Sequence, residues 1–336
     1  MTEKQYGGST GRETGKPAKA KKQPVSEIKT RKKISAQSNQ PIFSSKEEKI
    51  IRAGKIAKQI SVYAKSIIKP KMPLLEIAEK IEAKIFELGG KPAFPVNLSI
   101  DEIAAHYTPL HNDTATADGL LKVDFGVHIN GYIADTAFSL DLENSEENKK
   151  LITASESALK KAIETAKENI SLPEIGKAIQ EAIESCGFSP IINLSGHEMQ
   201  EYDLHAGITI PNIEDSRKAF LEKGLYAIEP FATAGSGKVH DGKPSGIYIL
   251  IEEKNVRSQS AREVLRFIEE EYKTLPFCSR WIVKKFGAMG LFALKQLEDN
   301  GNLHQFPQLV ENSNSKVSQA EHTIFVKKDE VIVTTD

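Results

Sequence analysis

VDFGVHINGYIAD, residues 123–135, is the stretch whose reading decides the fold. It has the composition of a buried hairpin, yet each arm carries an aspartate. Asn130-Gly131 is a strong two-residue hairpin signal, because a type I′ turn needs positive φ at both central positions. A two-residue loop sets Ile129 opposite Tyr132, so paired residue numbers sum to 261 and Asp124 faces Ala137. Asp135 is two residues from that partner, on the same face of its strand. The two aspartates are therefore diagonal neighbours within side-chain reach. Two buried carboxylates that close repel, and each is costly to desolvate. A shared proton, a basic partner or a metal would have to compensate them.

The bulk composition bounds the answer. The chain of 336 residues has a hydrophobic content of 39%, enough for a sizeable core in one large domain or two ordinary ones. Net charge is −1 but unevenly spread. Residues 1–45 hold ten Lys/Arg against three Asp/Glu, a net of +7, while the remainder holds 35 against 43, a net of −8. The first segment has few apolar residues and is expected to be a disordered basic tail, either solubilising or attracting RNA by counterion release. Two cysteines, Cys186 and Cys278, form neither a disulfide framework nor a thiolate metal site. No apolar run reaches the roughly 18 residues of a membrane span, and the N-terminus lacks the apolar stretch of a signal peptide. A cytoplasmic protein is expected.

Helical periodicity runs from Ser45 to Lys69, where Pro70 stops it, and from Pro73 to Gly89-Gly90. After the hairpin, helices are expected from Ser145 to Asn169 and from Leu172 to Cys186. At an offset of 98 residues, Leu74, Glu76, Ile77, Ile81, Ile85, Gly89 and Pro92 match Leu172, Glu174, Ile175, Ile179, Ile183, Gly187 and Pro190. Such a repeat implies two related α/β halves packed about a pseudo-twofold axis, with a site where they meet. Strands are expected at Ile191–Leu194, around Leu204–Ile210, at Gly224–Thr233 and at Gly246–Glu252. Residues 253–310 read as a separate helical block, and strands return at His322–Val326 and Val331–Thr334. The expected division is a tail over 1–45, a parent domain over 46–252 and 311–336, and a helical insertion over 253–310.

Further polar residues fall in strand-like contexts. In GHEMQEYDLHAG, His197 and His205 would share a face of an unbroken strand, though Gly196 and Gly207 suggest breaks. The zincin pattern His-Glu-x-x-His fails, since position 201 is Glu. Glu229 lies within the apolar run Leu225–Phe231, where a charge has to be compensated. The following AGSGK is not a phosphate loop: Ala232 stands where that pattern needs its first glycine, and Val239 follows Lys238. Glu321 precedes a β-rich run, and His106 follows another. Two Asp, two Glu and one His, with two His in reserve, suit a pair of divalent cations such as Mn, Co, Fe or Zn better than one structural zinc. Two such ions about 3.5–4 Å apart are a hydrolytic arrangement.

With these residues in view, the chain resembles the methionine aminopeptidases of type 2, the archaeal and eukaryotic kind, from about residue 46 onward. The resemblance rests on FPVNLSIDEIAAHYTP, KVDFGVHINGYIADTAF, GHEMQEYDLHAG, YAIEPFATAGSGKVHD, LPFCSRW and AEHTIFV. It implies the α/β "pita-bread" fold with internal pseudo-twofold symmetry. It also implies removal of the N-terminal methionine of nascent polypeptides with a small second residue preferred. Ribosome contact is the sharper reading of the tail's basic charge, and a monomer is expected. By the resemblance, Asp124 chelates one metal ion, Asp135 and Glu321 bridge two, and His197 and Glu229 complete the second site. His106 and His205 act near the scissile bond and on substrate backbone. In the hydrolysis this set suggests, Glu229 or a neighbouring acid shuttles the proton to the leaving amine. Phe94, Leu204, His240 and Phe306 fall near positions lining the methionine side-chain pocket. X-Pro aminopeptidases and prolidases share the ligand types and form the neighbouring alternative.

Overall fold

The computed structural model describes residues 45–336. The expectation of a disordered tail lies outside them, save for Ser45. Helix α1 (Lys46–Ile67) begins at a capping box in which Ser45 and Glu48 exchange side-chain-to-backbone hydrogen bonds. Helices α2 (Leu74–Glu87), α3 (Glu146–Thr165) and α4 (Leu172–Ser185) follow the sequence reading closely.

The hairpin strands are Leu120–Ile129 and Tyr132–Asp141, in the register the turn predicts: Ile129 opposite Tyr132 and Asp124 opposite Ala137. Both turn residues have positive φ, Asn130 at 49° and Gly131 at 89°. A Cβ on Gly131 would run into the ring of Tyr202, so this position needs glycine for space as well as conformation.

The 98-residue repeat is carried by the backbone. Helix α2 maps onto α4 end for end, Gly89 (φ 84°) onto Gly187 (φ 82°), and strand Lys91–Pro92 onto Ser189–Pro190. Lys71 and Asn169 both take φ 65°, and their N–H groups reach across to Ala117 O at 2.7 Å and Leu221 O at 2.8 Å. Each half has its own core. One packs Ile56, Ile60, Ile77 and Ile81 against Val123, Phe125 and Val127; the other packs Leu151, Ile175, Ile179 and Ile183 against Tyr226, Ile228 and Ile324. The fold is the pita-bread α/β arrangement, with the sheets of the two halves facing a shared interior.

In the second half, Ser195–Met199, Gly224–Ile228, His322–Lys327 and Glu330–Val333 lie in one antiparallel sheet with Thr209–Pro211. A long strand, Val239–Leu250, pairs with Leu303–Glu311. Between these two strands come α5 (Gln259–Glu271), α6 (Ser279–Phe286) and α7 (Ala288–Asp299), with a core of Val264, Ile268, Phe277, Ile282, Leu294 and Leu297.

Several expected boundaries move. Residues 303–310, read as part of the helical block, form a sheet strand; Pro307 and the register shifts beside it break the alternation that would have marked it. Ile191–Leu194 is not a strand: the Asn193 side chain instead bonds both N–H and C=O of Val239. Most of Leu204–Ile210 is a loop, because Tyr202 takes φ 60° and turns the chain before Thr209.

Candidate metal centre and active site

Two pairings bring the acids together. Ala137 lies opposite Asp124 on one side and bridges to Glu321 on the other, where Glu321 N–H donates to Ala137 O at 2.9 Å. Thr136 Oγ1 donates to Glu321 O at 2.8 Å and fixes the same junction. In the second half, His322 faces Ile228, so continuing that register by one sets Glu229 beside Glu321. His197 sits next in the sheet, opposite Ala227. The hairpin thus supplies Asp124 and Asp135, and the second-half sheet supplies His197, Glu229 and Glu321.

These side chains have the spacing of ligands rather than of hydrogen-bonded partners. His197 Nε2 is 3.6 Å from Asp135 Oδ2 and 3.7 Å from Glu229 Oε1. Ligand atoms of Asp135, His197 and Glu321 all lie within 4.8 Å of one another. Nitrogen and oxygen ligands bound to one ion at about 2.0–2.2 Å lie at most about 4.4 Å apart, a limit that the 3.6 and 3.7 Å separations meet. Burial and mutual repulsion distort the titrations. Burial pushes Asp124 up to about 7. It pushes Asp135 well above the carboxylate range, with Asp124 and Glu229 adding to the effect. Glu229 is raised by burial and Asp124, and Glu321 by burial, Asp135, Glu229 and Asp124. Burial brings His197 down to about 3, so its imidazole is neutral and its lone pair available.

The decisive detail is what these groups lack. Asp124 Oδ1, Asp135 Oδ1 and Glu321 Oε2 are buried without a hydrogen-bond partner among the described residues. Unpaired buried carboxylate oxygens are costly. Four acids and one neutral imidazole, aimed at one space with open lone pairs, fit a hard or borderline divalent cation.

A cavity of about 350 Å³ opens onto the cluster. All five candidate ligands line it, as do His106, His205, Phe94, Leu204 and Phe306. His106 takes φ 64°, a strained conformation for a residue with a side chain. Its Nδ1–H donates to Pro307 O at 3.1 Å, which fixes the tautomer and leaves Nε2 as an acceptor. Burial lowers its pKa to about 4. His205 sets its ring edge-on to His197, centroids 4.4 Å apart, and burial lowers its pKa as well. The loop 200–208 that carries it is held by Tyr202: its N–H donates to Gly131 O at 2.9 Å, and Lys273 Nζ sits 3.6 Å from its ring centroid.

His240 is elsewhere. It is exposed on strand Val239–Leu250, with Nδ1 3.0 Å from Asn312 Oδ1, and does not line the cavity. The family resemblance set it near the methionine pocket, but here its strand carries it to an exposed position. The sequence reading also passed over residues that do sit here. Asn97 is the strand partner of Asp124, and Asn193, Ile247 and Pro276 complete the wall. Gln319 is buried two residues before Glu321, and its amide acts to lower the pKa of both Asp124 and Glu229. The period-two spacing from Glu321 was the available signal.

Residues 48–271 match the pattern of metallopeptidase family M24. A methionine aminopeptidase of Pyrococcus abyssi is 49% identical over 296 residues, covering 86% of this chain and 99% of the relative. The chain belongs to the methionine aminopeptidases of family M24. The archaeal relatives agree with the type 2 kind. As a metallopeptidase it works with a divalent metal, and the acid cluster is where the residues present fit one. Among solved structures, it is similar to a thermophilic Arx1, with a TM-score of 0.76, 14% identity and coverage of 87% of this chain and 91% of that one. It is also similar to the methionine aminopeptidase of Thermotoga maritima, with a TM-score of 0.62, 22% identity and coverage of 87% and 98%. At those identities the two structures bear on the fold alone. Among the described residues, no helix is long and apolar enough to cross a membrane.

Proposed function

We propose that the chain removes the N-terminal methionine from newly made polypeptides by hydrolysis at a two-ion centre. The observation that carries this reading is the set of partnerless buried carboxylate oxygens facing a cavity with an apolar end. Asp124 and the bridging pair Asp135 and Glu321 would hold one ion, and the same pair with His197 and Glu229 the second. Bound divalent cations supply Lewis acidity and lower the pKa of a water from about 15.7 toward 7.

The chain's own residues do the rest. Phe94, Leu204 and Phe306, with Ile247 and Pro276, take up the methionine side chain by burial and dispersion. His106 presents only an acceptor nitrogen, so it receives the N–H of the scissile peptide. Polarising the carbonyl therefore falls to His205. Glu229, beside His197, takes the proton of the attacking water and returns it to the departing amine as the C–N bond breaks. The limited cavity favours a small second residue. We place the enzyme in the cytoplasm as a monomer, with residues 1–45 contacting the ribosome. Co-sedimentation with and without that segment, across a salt series, tests the last point.

The direct experiment is release of methionine from Met-Ala-Ser by the metal-loaded chain, with Ala-Pro peptides alongside. Methionine release with no cleavage of Ala-Pro is expected. Preferential cleavage of Ala-Pro would transfer the chain to the prolidase-like activities.

A further inference from the structure

LPFCSRW, residues 275–281, lies in the helical block, away from the ligand cluster, yet it reaches the active-site walls. Arg280 and Glu82 form a bidentate ion pair: Nη1 to Oε2 at 2.7 Å and Nη2 to Oε1 at 2.8 Å. Both are buried, Arg280 at 3% exposure and Glu82 at 6%. Trp281 Nε1 donates to the same Glu82 Oε2 at 2.9 Å.

The remaining capacity of the pair goes to two backbone segments. Arg280 Nε donates to Pro109 O at 3.0 Å, and Val96 N–H donates to Glu82 Oε1 at 3.4 Å. Those segments are also tied to each other, by Thr108 Oγ1 to Val96 O at 2.8 Å and Leu98 N to Tyr107 O at 2.6 Å. One segment carries Phe94 and Asn97 into the cavity; the other carries His106. A side-chain-bearing residue held at φ 64° persists only where its surroundings over-determine it. A guanidinium fork suits this task, since it can meet a carboxylate with two donors and a carbonyl with a third.

We propose that Glu82 and Arg280 are positioning residues for the aminopeptidase reaction, locking the 94–98 and 106–109 segments so that Phe94 and His106 keep their places. The proposal rests on the reading of the cavity as the peptidase site. It also gives Arg280, in the helical block, a role in catalysis without itself touching substrate.

The test compares wild type with the apolar double variant E82L/R280M and with Arg280→Lys. Replacing a buried ion pair by apolar residues is commonly tolerated by folding. The double variant is expected to keep wild-type metal content and a cooperative thermal transition, and to lose kcat/KM by about tenfold or more, since small misplacements are costly in catalysis. Arg280→Lys keeps the charge on Glu82 but lacks the separate donor to Pro109; it is expected to fold and to show an intermediate loss, mainly in kcat. If the double variant does not fold, the lysine comparison still decides. Folded, metal-loaded variants with kcat and KM within twofold of wild type would overturn the proposal. Absence of methionine release by wild type would instead overturn the functional reading, so the two failures are distinguishable.

Discussion

Two groups of buried carboxylates in this molecule behave in opposite ways. Glu311, fully buried at the end of its strand, accepts five hydrogen bonds: from Ser236 N–H and Oγ at 2.6 and 2.7 Å, Ser313 N–H and Oγ at 2.7 and 2.6 Å, and Ser315 N–H at 3.1 Å. Burial alone would push its pKa up, but the serine donors outweigh that and hold it down to about 2. Asp135 and Glu321 are buried too, Asp124 and Glu229 partly so, and their titrations run the other way. The difference is the donors. Glu311 keeps its charge and has it stabilised by protein hydrogen-bond donors, two of them from Ser236 in the AGSGK loop. The central four repel one another, and Asp124, Asp135 and Glu321 keep unpaired oxygens, a condition that a cation resolves.

The largest effect is expected at the centre of that contrast. Asp135→Asn removes a charge from between the two sets of ligands, so metal content and turnover should vanish together. Near-normal activity in that variant would end the assignment.

Metal removal comes next. In the metal-free chain the raised carboxylates favour the folded state when protonated. Asp124 therefore contributes its stabilisation fully below about 3.8 and loses it as pH rises through about 7. The metal-free chain should melt at lower temperature at pH 8 than at pH 5, and divalent metal should restore most of the loss at pH 8. Equal melting temperatures with and without metal at pH 8 would contradict the comparison.

Glu311 supplies the opposite sign. With its folded pKa depressed, its stabilisation is present above about 4.5 and is lost as pH falls toward about 2. Glu311→Gln should cost about 2 kcal/mol at neutral pH, read as a fall of a few degrees in Tm with metal content unchanged. The smallest effect belongs to His240→Ala. The residue lies outside the cavity, so kcat/KM should stay within about twofold of wild type.

The parts of this account legible in the sequence are those written locally. Asn130-Gly131 fixed the hairpin register, and so the diagonal placement of Asp124 and Asp135. Ser45, Pro73 and Ser145 marked helix starts to within a residue, because caps and prolines act within one turn. The 98-residue repeat was readable because both copies bury the same helix face and turn at a glycine. What stayed hidden depends on distant partners. Pro307 disguised a strand whose pairing is set by Val239–Leu250. Tyr202 and its positive φ turned an expected strand into the loop that brings His205 to His197. No spacing rule joins Glu82 to Arg280, 198 residues apart. His240 shows the converse case: a position suggested by family resemblance lies on an exposed strand outside the cavity.

The central claim is that four carboxylates and one imidazole, drawn from both halves, enclose divalent cations. Anomalous diffraction at the manganese edge, from crystals of the chain loaded with Mn²⁺, measures this directly. Two peaks should appear, each within about 2.3 Å of oxygens from both Asp135 and Glu321, one flanked by Asp124 and the other by His197 and Glu229. A catalytically active, loaded chain with no peak among these five side chains would contradict the account.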